Sequence, residues 1–380
     1  MSTVIFRRGD RGPAVAEVKA RLARLGLLSG SSHVRDSASL RSLMYPHGGT
    51  DTSEPSHWET TALVSADFDE ELEQAVRQFQ RERGITVDGI VGPETFRRLE
   101  EARWQLGDRV LSFQPGHLFV GEDALQLQRQ LSRMGFDCGK EDAYFGTLTD
   151  RALREFQRNT GLVVDGIAGP ETLRALGRLH RTVGAESAHT ARERYSLPNL
   201  RTGIAGKLVV LDASPVNHGS AGLTDRIAAL TAERLAPMGA VVSLPSTVDS
   251  HGGALDELSR ALACNEADAD LVVSFHVDQI DETAPALAVF YYGSDALHFS
   301  AAGRAAAEEI RAELLVLADC VIEARSWDIL RATRMPSVRV FFGRSGQDDV
   351  LRRISDPGFQ AALATAIADG LAAFFVPPTA

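Results

Sequence analysis

The sequence predicts a multidomain protein: two small all-α three-helix domains followed by an α/β domain with a mainly parallel sheet. Two observations predict this fold class. One apolar pattern occurs twice in the first half of the chain, and strand and helix patterns alternate after residue 207. The 380 residues are enough for two or three domains with cores of their own. We place a first helical domain at 1–105 with an insertion at 29–67, a second at 112–178, a linker at 179–206, the α/β domain at 207–376 and a tail at 377–380.

The internal repeat joins residues 68–99 to residues 145–176 at an offset of 77 positions, with 17 of 32 residues identical. A repeat of this length indicates two copies of one structural unit. The copies share the series Phe79-Gln80-Arg81, Val87-Asp88-Gly89-Ile90 and Gly92-Pro93-Glu94-Thr95, which returns as Phe156-Gln157-Arg158, Val164-Asp165-Gly166-Ile167 and Gly169-Pro170-Glu171-Thr172.

Each copy predicts three helices. Apolar residues at steps of three and four mark the first two helices of the first copy, at Val15, Val18, Leu22 and Leu25 and at Leu72, Ala75, Val76 and Phe79. Gly26 and Gly135 suit left-handed caps after the first helix of each copy. The Val-Asp-Gly segment predicts a tight turn, and Pro at the first helical position starts the third helix.

This series resembles the three-helix peptidoglycan-binding domain family, over residues 7–100 and 115–178. The resemblance implies peptidoglycan or its precursors as the ligand. The same residues also meet the needs of caps and turns, so most of the signature describes a fold. The first copy has 32 extra residues between its first two helices, within residues 29–67. We expect a mobile surface insertion, and the other reading is a partner-binding loop.

Composition limits the function classes. The net charge of −11 argues against nucleic acid and anionic membrane surfaces as partners. We expect no membrane insertion, because no stretch approaches the roughly 20 apolar residues of a span. The N-terminus lacks a signal-peptide pattern, so the expected location is cytoplasmic. The three cysteines, Cys138, Cys264 and Cys320, lie far apart without metal-binding spacing and are expected to be structural thiols.

The second half begins after residues 179–206, which show little periodicity and are predicted to be a linker. Short apolar runs and amphipathic stretches then alternate, as in an α/β domain. The predicted strands are 208–211, 240–244, 271–276, 286–292 and 337–342, and the predicted helices are 224–237, 253–264, 298–318 and 356–375.

Three stretches of this domain resemble the zinc-dependent N-acetylmuramoyl-L-alanine amidase family, and the resemblance extends over residues 207–376. They are Val209–Asp212, Ser274–Asp278 and Leu330–Gly343. The resemblance implies a catalytic zinc held by His, Glu and His, with the metal activating a water molecule. It also implies a Glu on the last core strand as general acid and base.

The sequence departs from that pattern at most of these positions. The first ligand position is Pro215, and His218 three residues later is the nearest substitute. Near the second position the closest carboxylate is Asp225, whereas His276 occupies the third. The acid/base position is Phe341. We therefore assign no catalytic residue and expect no cofactor, with His276, His218 and Asp225 as a candidate vestigial metal set. The other reading of His276 is a hydrogen-bonded histidine at a strand end.

Two functions remain open from the sequence, and a third, a purely structural wall-binding protein, would require export. The pairing of two such modules with a disabled amidase-like domain resembles an actinobacterial group of regulators of peptidoglycan precursor synthesis. That resemblance implies the UDP-N-acetylglucosamine enolpyruvyl transferase as a protein partner, and a membrane Ser/Thr kinase that phosphorylates the C-terminal tail, where Thr379 is the candidate site. The other reading of Thr379 is a frayed terminus. The alternative function is an active zinc amidase that hydrolyses the muramyl-L-alanine bond of peptidoglycan.

Overall fold

The chain folds into two compact units, Met1–Arg103 and Trp104–Ala380. The computed structural model describes residues 5–28, 67–115, 119–179, 188–214, 222–248, 250, 253–278, 287–293, 298–343 and 353–377. The insertion of the first repeat therefore lies outside the described residues, apart from Asp67. The second repeat belongs to the same compact unit as the α/β domain, although the sequence predicted a separate domain at 112–178.

The first unit contains three described helices: α1 (Pro13–Arg24), α2 (Glu70–Glu82) and α3 (Pro93–Glu101). The predicted apolar faces of α1 and α2 are buried together in one core with Val91 and Leu99. Gly26 has a φ of 76°, as predicted for a left-handed residue after α1. Asp69 caps α2 by accepting a hydrogen bond from the backbone nitrogen of Leu72 at 2.8 Å.

The second repeat has the same three helices and two small antiparallel pairs of strands. The helices are α4 (Glu122–Arg133), α5 (Thr147–Asn159) and α6 (Pro170–Leu179). The strands are β1 (Leu111–Ser112), β2 (Phe119–Val120), β3 (Tyr144–Phe145) and β4 (Ile167–Ala168), with β1 paired to β4 and β2 to β3. Its core contains Leu127, Leu131 and Phe156.

A buried glutamine explains the repeated series of the first copy. The Nε2 atom of Gln80 donates to Asp88 Oδ1 at 2.7 Å, to the carbonyl of Ile90 at 3.0 Å and to Thr95 Oγ1 at 3.0 Å. Its Oε1 atom accepts from the backbone nitrogen of Gly89 at 2.9 Å. One amide group thus fastens the turn and the start of α3 to α2.

The same hydrogen-bond pattern occurs twice more, in the second repeat. Gln157 binds Asp165, Ile167, Thr172 and the backbone of Gly166 in the same way. Gln128 on α4 binds Asp142, Tyr144, Thr149 and the backbone of Ala143. In all three cases the Asp precedes the Thr by seven positions. The repeated series is therefore to a large extent a fold signature.

The α/β domain is built on a six-stranded sheet with the order β6-β5-β7-β10-β8-β9. Its strands are β5 (Leu208–Ala213), β6 (Val241–Ser243), β7 (Leu271–Asp278), β8 (Leu287–Tyr292), β9 (Cys320–Arg325) and β10 (Ser337–Gly343). Every neighbouring pair is parallel except β10 with β8, which is antiparallel. The predicted mainly parallel sheet is confirmed.

Three helices cover one face of this sheet: α8 (Leu223–Leu235), α10 (Ala301–Leu314) and α12 (Pro357–Phe375). Together with the sheet they form the largest core. Within the described residues, α12 alone is long and apolar enough to cross a membrane, which corrects the expectation that no stretch approaches that length. Its Leu371, Phe374 and Phe375 are fully buried in this core, so its apolar character serves the packing of the domain.

The predicted linker at 179–206 is wrong over much of its length, because residues Ala188–Leu200 form helix α7. Buried polar groups anchor this helix. Because these groups are not apolar, the sequence shows no helical period of apolar residues here. Thr190 Oγ1 donates to the carbonyl of Phe299 at 2.6 Å, and Glu193 accepts from Ser300 Oγ at 2.8 Å.

The remaining differences concern element bounds and short elements. The predicted helices at 253–264 and 298–318 run instead over Glu257–Glu266 (α9) and over α10. Strand β9 and the one-turn helix α11 (Asp328–Arg331) were not predicted. The half-buried pattern of β9 and the shortness of α11 gave no clear period in the sequence.

The first prediction concerns the glutamine that anchors the repeat. Replacing Gln80 by Leu leaves the Gly89 N–H without its partner and removes one hydrogen bond from the Asp88 carboxylate, which still accepts from the backbone nitrogen of Ile90. A buried unsatisfied group costs about 1–3 kcal/mol, and further hydrogen bonds are lost with it. We therefore expect the free energy of unfolding of the first unit to fall by about 3 kcal/mol. Gln78→Leu on the same helix is the control, because Gln78 contacts only the exposed Glu82 in the described structure. Hydrogen exchange of the α2 amides measures both, and equal effects of the two substitutions would contradict the role of Gln80.

The second prediction concerns the charge of Glu193. Burial alone raises its pKa, but the neighbouring His189, Lys140 and Ser300 outweigh burial and lower the pKa to about 2. A lowered pKa in the folded state means that this stabilisation is present above about pH 4.5 and is lost as the pH falls toward 2. Glu193→Gln should therefore reduce stability at pH 7 by about 3 kcal/mol and flatten its dependence on pH between 4.5 and 2.

The control for this substitution is Glu308→Gln, which removes a half-exposed partner of Arg304 on α10. Urea unfolding of the full chain at several pH values gives both profiles. If the Glu193→Gln profile keeps the slope of the unsubstituted chain, another group carries the acid sensitivity.

Candidate functional site

The candidate site lies at the carboxyl ends of strands β5, β7 and β10. Register places Ala213 opposite Phe275 and His276 opposite Phe341. Because side chains alternate along a strand, Ser214, His276 and Phe341 point away from the face that α8, α10 and α12 cover. Carboxyl ends of parallel strands are where α/β folds generally place ligand sites.

His276 has a hydrogen-bond partner of its own. Its Nδ1 atom lies 3.0 Å from Ser214 Oγ, and the carbonyl of Ser214 accepts from Thr224 Oγ1 at 2.9 Å. Ser214 and Thr224 are buried, and His276 is half-buried. These contacts agree with the reading of His276 as a hydrogen-bonded histidine at a strand end.

Phe341 fills the position that the resemblance assigns to the acid/base Glu. Only 3% of it is exposed. Its ring centroid lies 6.0 Å from that of His276 and 5.8 Å from that of Phe290, which in turn meets Trp327 at 4.7 Å. A phenyl ring can neither accept nor donate the proton that amide hydrolysis requires.

Two ion pairs lie two residues before His276 and Phe341 along the strands; the Arg260–Asp212 pair is buried, whereas in the Arg339–Glu257 pair only the arginine is fully buried. Arg260 Nε donates to Asp212 Oδ1 at 2.9 Å, and Arg339 Nη2 donates to Glu257 Oε1 at 2.6 Å. Ser274 Oγ also donates to Asp212, at 2.7 Å. Glu257 and Arg260 are three positions apart on α9 and face the sheet together, so the two pairs bind this helix to the site face.

The charges of these ion pairs influence one another. Burial would raise the pKa of Glu257, but Arg339, His276 and Arg260 outweigh it and lower the pKa. The guanidinium of Arg339 also lies 4.7 Å from the ring centroid of Trp327. The two pairs thus keep a carboxylate ionised close to His276.

The described residues do not fit the zinc site that the resemblance implies. Of the predicted metal set, His276 is in the site, Asp225 is exposed in the first turn of α8, and His218 lies outside the described residues, as does Pro215. The neighbouring Thr224, not Asp225, turns inward. No three His, Cys, Asp or Glu side chains come together as a metal site in the part of the chain that is described. The three-residue set remains a prediction that depends on His218.

Sequence reasoning missed Arg339, Glu257 and Arg260. The sequence held a signal for one of them. Arg339 interrupts the apolar run of β10 and lies two residues before Phe341, so both side chains are on the same face of the strand. An arginine that is 2% exposed on a central strand requires a partner. The candidate phosphorylation site Thr379 lies outside the described residues and also remains a prediction.

Two family models match the chain. One is described as a putative peptidoglycan binding domain and matches residues 58–99 and 120–176. The other is described as N-acetylmuramoyl-L-alanine amidase and matches residues 217–373. Both agree with the resemblances read from the sequence.

One relative extends this likeness to most of the chain. The N-acetylmuramoyl-L-alanine amidase CwlM of Mycobacterium tuberculosis is 35% identical over 356 residues, which cover 89% of this chain and 81% of the relative. A probable N-acetylmuramoyl-L-alanine amidase of Bacillus licheniformis is 32% identical over 186 residues, covering 45% and 44%. Among solved structures, the amidase Ami1 of Mycobacterium smegmatis aligns with a TM-score of 0.39 at 19% identity, over 46% of this chain and 99% of that one.

The third prediction concerns the Glu257–Arg339 pair. Glu257→Gln keeps the shape of the side chain but leaves the buried guanidinium without its counter-charge, which costs about 2–4 kcal/mol of unfolding free energy. Glu266→Gln, at the exposed end of α9, is the matched control and should change stability by less than about 0.5 kcal/mol. Urea unfolding followed by circular dichroism compares them. An unchanged midpoint for Glu257→Gln would show that the pair does not hold the helix.

Proposed function

Because this chain belongs to the N-acetylmuramoyl-L-alanine amidase family and yet carries a buried Phe at the acid/base position, we propose that it is a non-hydrolytic member. In this proposal the protein recognises peptidoglycan or its precursors through its helical repeats and acts on other proteins instead of cleaving the wall. The observation that carries it is Phe341, which is 3% exposed and packed between His276 and Phe290.

The chemistry of amide hydrolysis supports the proposal. A general acid/base contributes about 10²–10⁴ to the rate, and Phe341 cannot supply this contribution from its position. The described site offers one imidazole, that of His276. The Nδ1 atom of that imidazole is engaged by Ser214. The ionised carboxylate of Glu257 is bound to Arg339 and so is committed to holding α9.

The proposed role is regulation of peptidoglycan precursor synthesis in the cytoplasm. The proposed protein partner is the UDP-N-acetylglucosamine enolpyruvyl transferase, and the proposed input is phosphorylation of Thr379 by a membrane Ser/Thr kinase. Support comes from the domain arrangement, in which two peptidoglycan-binding modules precede an amidase-family domain with Phe341 at the acid/base position, as in the regulator group that the sequence resembles. This part is tested by adding the chain, either phosphorylated or carrying Thr379→Ala, to purified transferase and measuring the transferase rate. Identical rates with both forms and without the chain would contradict the proposed regulation.

The alternative is a zinc amidase that hydrolyses the muramyl-L-alanine bond. The presence of His276 at the third ligand position favours it, as does the match of residues 217–373 to the amidase model. Under this alternative His218 and Asp225 would have to complete the metal site.

The fourth prediction separates the two functions. Purified full-length chain, equilibrated with equimolar zinc and desalted, should retain much less than one zinc per molecule and release no muramyl-linked peptides from cell walls. His276→Ala is the matched control and should change neither result. Stoichiometric zinc that His276→Ala abolishes, together with peptide release, would establish the amidase and overturn our proposal.

A further inference from the structure

The second repeat contacts the α/β domain through a short loop between α4 and β3, residues 138–143. The loop inserts Lys140, which is 4% exposed, into the α/β domain. The Lys140 Nζ atom donates to the carbonyls of Leu330 and Met335, both at 2.9 Å, and lies 3.1 Å from Thr333 Oγ1 and 3.3 Å from Ser337 Oγ. Four oxygens from one segment thus surround a single ammonium group.

Lysine is a rare choice in this chain. Lys and Arg together number 40, and only three of them are lysine: Lys19, Lys140 and Lys207. Lys19 and Lys207 form ordinary ion pairs, with Asp69 at 2.7 Å and Asp270 at 3.4 Å. Lys140 forms no such pair with any described residue and is held by neutral oxygens. A compact ammonium with three donors matches this arrangement of oxygens.

The next two residues of the loop are bound as well. Tyr292 Oη donates to the carbonyl of Glu141 at 2.9 Å, and Arg331 Nη1 donates to the carbonyl of Asp142 at 2.9 Å. The carboxylate of Glu141 lies 3.7 Å from His298 Nε2. Three consecutive residues of the second repeat therefore make polar contacts with the α/β domain.

The closed contact buries two ionisable groups, which costs free energy, and a cavity lies beside them. Burial lowers the pKa of Lys140 to about 8, although Glu193 and Asp142 oppose the shift. Burial also raises the pKa of Asp142 to about 6. A cavity of about 140 Å³ lies beside the ammonium and is lined by Asp142, Thr333 and Arg334 among others. Space next to a buried charge allows water to enter and to solvate that charge as the contact opens.

The segment that receives Lys140 leads directly into the candidate site. It runs from Leu330 through Met335 to Ser337, the first residue of β10. Arg339 and Phe341 follow on the same strand and the same face. The position of the second repeat is therefore mechanically connected to the strand that carries the altered acid/base position.

We propose that residues 140–142 form a releasable latch that fixes the second repeat to the α/β domain and holds the segment entering β10. With the latch closed, the second repeat and the α/β domain are one body, and the loop is unavailable to an outside ligand. With the latch open, the loop and the segment entering β10 are both exposed. The device does not depend on whether the site hydrolyses peptidoglycan.

The fifth prediction uses the three lysines as reporters. Brief amine acetylation of the native full chain, followed by peptide mass spectrometry, should modify Lys19 and Lys207 at least tenfold faster than Lys140. The double substitution Thr333→Val with Ser337→Ala removes two of the four oxygens and keeps Lys140. It should increase the labelling rate of Lys140 at least tenfold and leave Lys19 and Lys207 unchanged.

The matched control is Thr231→Val, a buried threonine of α8 that donates to the carbonyl of Ile227 within its own helix. This control should leave Lys140 protected. Lys140 labelling as fast as Lys19 in the unsubstituted chain would overturn the latch. So would an increase in the double variant that is matched by equally faster hydrogen exchange throughout β7, because opening would then be global unfolding.

Discussion

The alternation of side chains along β10 is the constraint on which the rest of the α/β domain depends. Val338, Val340 and Phe342 point into the core with α8, α10 and α12. Ser337, Arg339 and Phe341 therefore must share the opposite face. On that face Ser337 contacts Lys140, Arg339 pairs with Glu257 of α9, and the ring of Phe341 packs against His276. A single strand thus connects the second repeat, the helix over the site and the site itself.

The sequence was sufficient for the parts of the fold that depend on apolar periodicity. Both copies of the repeat, the mainly parallel sheet and the core helices follow from such patterns. Helix α7 did not, because Thr190 and Glu193 anchor it through buried hydrogen bonds that have no period in hydrophobicity. The contact of the second repeat with the α/β domain was missed for the same reason. A lysine is normally expected at the surface, and only the structure shows the four oxygen atoms that surround the Lys140 ammonium.

The candidate site was predicted unevenly. The positions of His276 and Phe341 followed from the family-like stretches Ser274–Asp278 and Leu330–Gly343, and the structure places the two residues opposite each other on β7 and β10. Asp225 was the nearest carboxylate in the sequence, yet it is exposed, and the inward position belongs to Thr224. Linear proximity could not decide this, because one residue along a helix turns a side chain by about 100°. The pairing of Arg339 with Glu257 joins positions 82 residues apart and has no local signal.

The glutamine hydrogen bonds of the repeats have a consequence for how such modules diverge. Gln80 and Gln157 secure the turn between the second and third helices of the two copies, so this part of the framework does not depend on the loop between the first two helices. Gln128 fastens the end of that loop in the second copy. In one copy that loop is 32 residues longer, and in the other it attaches the module to a neighbouring domain. One three-helix framework can therefore carry loops of different length and purpose between its first two helices.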